Sequence, residues 1–232
     1  MKSPALFVLS LGVAFSASAG IPSIDELTET LSRGPWAELP VRAVTLVRHA
    51  NNQDRKDMTI AAVKAALRLN PAAATAVVGS ISRAVPAMAA AAAETGAGEQ
   101  PSQASDIALA AAAANHAAAA DIVAGVCRSV PDKYEAIAGA VGEVVPGSAK
   151  EILEAVETVK PELKAPIDSI VAQSKGRNPS VSDVLAGARP DGRGAGPLNK
   201  KPEPFVHVAH KPVDHGTISG NPSGPPNQYD VP

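Results

Sequence analysis

The chain has 232 residues, with 21 Lys and Arg against 23 Asp and Glu, a formal charge of −2, and only 3% aromatic residues. That balance leaves no basic footprint for nucleic acid or anionic lipid, and so few aromatics leave almost no platforms on which bases or sugars could stack. The one cysteine, Cys127, excludes an intramolecular disulfide framework, so stability has to come from packing.

The chain begins MKSPALFVLSLGVAFSASAG. Lys2 supplies a positive start, Ala5 to Phe15 is an apolar run, and Ala17-Ser18-Ala19 has the small-x-small form of a cleavage site. This is the layout of a secretory signal peptide. The run is too short to cross a bilayer as a helix. No Cys follows the cleavage site to carry a lipid. Residues 1–19 are therefore expected to be removed, which leaves 213 residues starting at Gly20 and a charge of −3. The mature protein is expected in the periplasm or outside the cell. No later segment is long and apolar enough to be an obvious transmembrane helix.

Residues 20–55 hold IPSIDELTETL and AELPVRAVTLVRHA, two expected helices with the only Trp, Trp36. They read as an N-terminal cap. In the second, Val41, Val44 and Val47 have spacings that suit one helix face.

From residue 56 the prolines keep time. Pro71, Pro86 and Pro101 are fifteen residues apart, His116 fills the next slot, and Pro131, Pro146 and Pro161 follow at the same spacing. The units include PAAATAVVGSISRAV, HAAAADIVAGVCRSV and PGSAKEILEAVETVK. Unit position 7 is Val77, Ile107, Ile122, Ile137, Ile152 and Ile167. Position 11 is Ile81, Ala111, Val126, Val141, Val156 and Val171. Position 4 is usually Ala, with Tyr134 the largest exception. Positions 4, 7, 8 and 11 make the stripe of one helix face. An internal repeat of this fidelity outweighs any short motif.

Each unit therefore predicts one helix of about eleven residues, opened by Pro in its first turn and closed by the bias that Pro puts on the residue before it. One continuous helix is excluded, because each interior Pro would cost ~3 kcal/mol. Isolated helices of this length are marginal in water, so each must bury its stripe against neighbours. The expected fold is all-α: short antiparallel helices in fifteen-residue units over 56–189, packed as a compact bundle or short solenoid. Ala supplies 35 of the residues from 56 to 175, so the core should be thin, with Val and Ile carrying most of the apolar burial. The unit PAMAAAAAETGAGEQ should be the loosest joint, with Gly96 and Gly98 ending its helix early and only Ala92 at position 7. A last short helix is expected near Val181 to Ala186. Residues 190–232, rich in Pro and Gly without period, are expected to be a disordered tail.

Within this frame the chemically suggestive residues weigh little. TLVRHA, residues 45–50, resembles the opening motif of the histidine phosphatases. That resemblance implies His49 as nucleophile and Arg48 as phosphate clamp, presented at the end of a strand with a further Arg and His. Here Pro40 and the valine spacing predict a helix instead, followed by a helical repeat. The bland reading places Arg48 and His49 near a helix C-terminus, where cations suit the dipole.

His207, His210 and His215 are weak candidates for a metal in PFVHVAHKPVDHG, with Asp214 the only acid nearby. FVHVA alternates like a strand that could join a partner's sheet edge. Cys127 has no His close in sequence, so a half-buried packing residue is expected, with an intermolecular disulfide as the other reading. Glu151 and Glu154 share a face, which a solvated helix explains more simply than a paired-carboxylate hydrolase.

The whole pattern resembles uncharacterised exported bacterial proteins built from Ala-rich, Pro-punctuated helical units. The resemblance covers roughly residues 40–190 and implies no activity. The expectation is an exported, non-enzymatic binding or structural protein without a cofactor, meeting a protein or envelope component. The alternatives are a phosphatase-like hydrolase with its site in a groove between helices, and a membrane-active bundle.

Overall fold

The computed structural model describes residues 21–174 and 179–189. The expected signal peptide, the expected tail and the histidines at 207, 210 and 215 lie outside the described residues. The chain divides into two units, Met1–Gly196 and Pro197–Pro232, and every described residue belongs to the first. Among them are eleven α-helices and no strand: α1 (Ile24–Ser32), α2 (Leu39–His49), α3 (Arg55–Leu69), α4 (Ala74–Ala84), α5 (Ala89–Glu99), α6 (Ala104–Ala114), α7 (Ala119–Ser129), α8 (Tyr134–Val144), α9 (Ala149–Val159), α10 (Lys164–Gln173) and α11 (Val181–Gly187).

The local geometry follows from the Pro slots. In the units from Pro71 to Lys160, positions 1–3 form one 3₁₀ turn, as in Pro71–Ala73 and Pro131–Lys133, and positions 4–14 form the α-helix, whereas α3 runs unbroken from Arg55. Position 15 alone leaves the helical region. From Asn70 to Lys160 these residues have φ between −149° and −125° and ψ between 63° and 95°. The steric push of the following Pro ring has this effect on the residue before it. Neither backbone group at that residue is stranded. In Val85 the N–H donates to the Ile81 carbonyl at 2.8 Å, and the carbonyl accepts from Met88 N–H at 2.8 Å. Gln100, Val130, Val145 and Lys160 repeat both bonds. Asn115 adopts the same conformation before His116, and its amide donates to the Pro86 carbonyl at 3.0 Å.

The helices stack in two layers. Odd helices α1, α3, α5, α7 and α9 lie side by side, as do even helices α2, α4, α6 and α8. Within a layer the starts are adjacent: Gln103 Nε2 donates to the Pro71 carbonyl at 3.4 Å and Lys133 Nζ to the Pro101 carbonyl at 2.8 Å. Same-layer helices are thus parallel. Across layers, Gly96 near the end of α5 meets Val78 and Ile107, which lie nearer the middle and start of α4 and α6. Successive helices are thus antiparallel, and thirty residues make one repeat of the two layers.

The stripe expected at positions 7 and 11 is the core. Val77, Ile107, Ile122, Ile137 and Ile152 are fully buried, with Ile81, Val126, Val141 and Val156 beside them. Two expectations are corrected. Gly96 and Gly98 do not end α5 early, since it runs its full eleven residues to Glu99. Nor is the joint loose: a Cβ on Gly96 would lie 2.8 Å from Val78 Cγ2, so the glycine lets α4 and α5 close together. Val44 and Val47 point inward as expected, but Val41 is 65% exposed, because α2 opens its layer and no described helix covers its outer side.

The C-terminal end departs from the repeat. The even-layer slot beyond α8 is taken by α11, not α10. At the core positions 4 and 8, α10 carries Lys164 and Asp168 where α4 has Ala74 and Val78 and α7 has Ala119 and Val123. Burying those two charges against α8 would be costly. Val171, at position 11, is accordingly 43% exposed, against the expectation for that stripe. The replacement helix runs backwards. A Cβ on Gly139 would meet Ser182, one on Gly142 would meet Val181, and Arg189 reaches back to Glu135 near the start of α8. Residue numbers that rise on one helix as they fall on the other define an antiparallel pair.

Two predictions follow from this terminal contact. A Cβ at Gly142 would lie 2.8 Å from Val181 Cγ2 and 2.9 Å from its Cβ, while one at Gly147 would meet nothing within 4 Å. Gly142→Ala is expected to cost about 1–3 kcal/mol in urea unfolding by levering α11 outward, whereas Gly147→Ala should stay within about 0.5 kcal/mol of the parent.

The second concerns acid. Arg189 Nε donates to both Glu135 oxygens at 2.8 and 2.9 Å, and a third bond comes from Nη2. Those bonds hold the Glu135 carboxyl below its usual 4.5. A depressed carboxylate stabilises the fold above the unfolded value, and that contribution disappears as pH falls through the folded one. Thermal melts taken from neutral pH down past 4.5 should therefore show a smaller fall in Tm for Glu135→Gln than for the parent.

Candidate functional site

The departure of α10 opens a groove of about 700 Å³ between α9, α10, the start of α11 and the α8–α9 turn. Its apolar lining includes Leu153, Ile167, Val171 and Val181. Each comes from the repeat pattern or from its interruption. Leu153 is position 8 of α9, whose layer ends there. Ile167 keeps position 7, and Val171 has lost the partner that position 11 normally finds.

The charges of the groove are paired. Lys164 Nζ lies 2.8 Å from Glu157 Oε2 and 3.7 Å from Asp168 Oδ2, and Lys150 lies 3.7 Å from Glu154. The Glu157 side chain is only 10% exposed, so its bond to Lys164 covers an otherwise stranded carboxylate. The hydrogen bond to Glu157, with the charge of Asp168, raises the Lys164 pKa above its ordinary value. A lysine so held is an ammonium at neutral pH, unsuited to attack a carbonyl or accept a proton. Glu157 and Asp168 thus both face the one Lys164 ammonium.

Among the described residues that the sequence singles out as chemically suggestive, only Glu154 reaches the groove, at its rim. Glu151 is exposed and lies outside the groove lining. Arg48 and His49 are exposed in the last turn of α2, where His49 Nδ1 lies 2.8 Å from the Thr45 carbonyl. TLVRHA is therefore helix, as its valine spacing predicts, not the strand end of a phosphatase. A shallow hollow of about 270 Å³ beside His49 is lined by Ile21, Thr45, Asp54 and Met58 but by no Arg. His116, exposed in its Pro slot, and Cys127 are eleven residues apart along their unit, roughly 16 Å of helix axis. No group of three His, Cys, Asp or Glu among the described residues is arranged to hold a metal.

Cys127 is more buried than expected, with no exposed surface. Position 12 faces the interior from α4 to α7, as Ser82, Ala97 and Ala112 show. Burial pushes its thiol up to about 12, against the weaker opposing pull of Arg128 and Lys160. The groove residues Lys164 and Asp168 escaped the sequence reading. Their signal is present in the sequence, as charges at positions 4 and 8, where the units from Pro71 to Lys160 carry Ala, Val, Leu or Tyr.

No family model, curated protein or solved structure matches the chain. No helix among the described residues is long and apolar enough to cross a membrane.

The thiol yields a direct check on the packing. In the native protein Cys127 is expected to react with a thiol reagent slower than in denaturant by roughly a thousandfold or more, because its thiolate fraction falls with the raised pKa. Rapid native modification, or a disulfide-linked dimer formed without unfolding, would contradict the burial of position 12.

Proposed function

We propose that the protein is an exported, non-enzymatic helical-repeat binding module that holds its ligand in the groove between α9, α10 and α11. The observation that carries this reading is the fully ion-paired rim around an apolar floor. Leu153, Ile167 and Val181 offer burial for an apolar group, while Glu157, Lys164 and Asp168 offer fixed charges that orient it. Ligand sites combine an apolar lining with a few placed polar groups in this way. The groove suits a protein segment or envelope component with apolar side chains and polar backbone. Export is inferred from the first nineteen residues, which have the layout of a signal peptide.

The test uses Val171→Asp, a change at an exposed position that leaves the helical array intact. The parent protein should retain a defined envelope component from a native extract, and Val171→Asp should lose it at unchanged thermal stability. In parallel, neither protein should hydrolyse phosphomonoesters or simple esters above a buffer blank. Retention that is indifferent to Val171→Asp would remove the groove from the reading. Phosphatase turnover abolished by His49→Ala would replace it with the hydrolase that TLVRHA resembles.

A further inference from the structure

We infer that the outer face of α2 is an interface for a second copy of this chain, closed by two symmetry-related Glu38–Arg48 ion pairs. This surface lies in the N-terminal half of the array, away from the groove, and does not depend on the groove's role. Because α2 opens the even layer, it packs inward through Leu39, Ala43 and Val47, and no described helix packs on its other side. The outward residues are Glu38, Val41, Thr45 and Arg48, all exposed. Their spacing of three, four and three places them in one stripe along the helix.

The stripe carries an acid at one end and a base at the other. Some acids and bases of the array already meet across helices, as in Arg128–Glu94, Arg68–Asp25 and Arg189–Glu135. Glu38 and Arg48 have no ion-pair partner among the described residues. They stand ten residues apart, about 15 Å along the axis. Two copies laid antiparallel about a two-fold axis at the level of Ala43 bring Glu38 of each copy opposite Arg48 of the other. The same registration sets Val41 opposite Thr45, which covers the exposed valine. A parallel arrangement would oppose Glu38 to Glu38 and Arg48 to Arg48. Charge alone therefore selects the antiparallel, self-complementary pairing of a closed dimer. An open head-to-tail chain is disfavoured by the other end of the even layer, where the reversed α11 already occupies the next slot. The stripe is short, so the dimer belongs to the small, transient class.

The test is a charge swap on the full chain, read by sedimentation equilibrium at low salt. The parent should dimerise with rising concentration, and added salt should weaken the dimer. Glu38→Arg sets two pairs of arginines against each other, and Arg48→Glu sets two pairs of glutamates. Each should lower the association constant by about fivefold or more. The double variant Glu38→Arg, Arg48→Glu restores opposite charges and should return to within about twofold of the parent. Val41→Lys, at a position already exposed, should weaken the dimer without changing the thermal melt. A parent that stays monomeric up to about millimolar concentration overturns the inference. So do single reversals that associate like the parent, or a double variant that does not recover.

Discussion

In every unit, one residue must leave the helical region without stranding a backbone group. Position 15 meets that constraint. Its N–H closes the preceding helix and its carbonyl opens the following 3₁₀ turn, so a chain reversal takes a single non-helical residue. Helices more often end on a glycine with positive φ. Here the Pro ring displaces the residue before it into the extended side of the map, where Val, Gln and Lys are all at ease. Side-chain identity at position 15 is thereby freed, as Val85, Gln100 and Lys160 illustrate. At Asn115, where no Pro follows, the backbone alone does not enforce the turn, and the side-chain amide to the Pro86 carbonyl anchors it instead.

With connections this short, neighbouring helices have no slack, and the distance between them is set by side-chain size. That is why alanine and glycine dominate the contacts. Buried Ala92, Ala93 and Gly96 give α5 little apolar area of its own. They allow α5 to approach until Val78 and Ile107 are sealed beneath it. The hydrophobic term thus resides in the larger residues of neighbouring helices, and the small residues act by removing the gap. A glycine near a helix end has two physical meanings, cap or close approach. Sequence reading chose the first for Gly96, because propensity is visible along the chain and inter-helix distance is not.

The same distinction explains how far the sequence could be read. Helix lengths, the Pro-started turns and the inward faces of Ile107, Ile122, Ile137 and Ile152 all follow from a period printed in the residues. So does the helical state of TLVRHA, since Val44 and Val47 share the buried side of α2. The outer position of Val41 does not follow, because it depends on α2 being first in its layer, a property of order in space. The direction of α11 is hidden for a similar reason. Gly139, Gly142 and Ser182 reveal an antiparallel contact only once they are side by side. Lys164 and Asp168 were legible and overlooked. Ile167 and Val171 keep the repeat's pattern, while the two charges that keep their helix out of the array stand at the positions that break it.

Those two charges unite the end of the array with its groove. A stack of identical units has no intrinsic last member, and its final face must be made polar or be covered. Lys164 and Asp168 make α10 unfit for the next slot, so the even layer passes to α11, which Arg189 anchors to Glu135. Displaced, α10 leaves Leu153 of α9 and its own Val171 beside open space, and that space is the groove. Glu157 shows that the two consequences are one. At position 12 it occupies the site that Cys127 fills in α7, a site that elsewhere tolerates no charge. Its carboxylate is acceptable there only because Lys164 lies 2.8 Å away. A charge that would destabilise an interior unit is thus neutralised by the charge that ends the array. Local rules of a repeat are broken where something other than repetition is selected, and in this chain the break leaves an apolar floor with an oriented ionic rim.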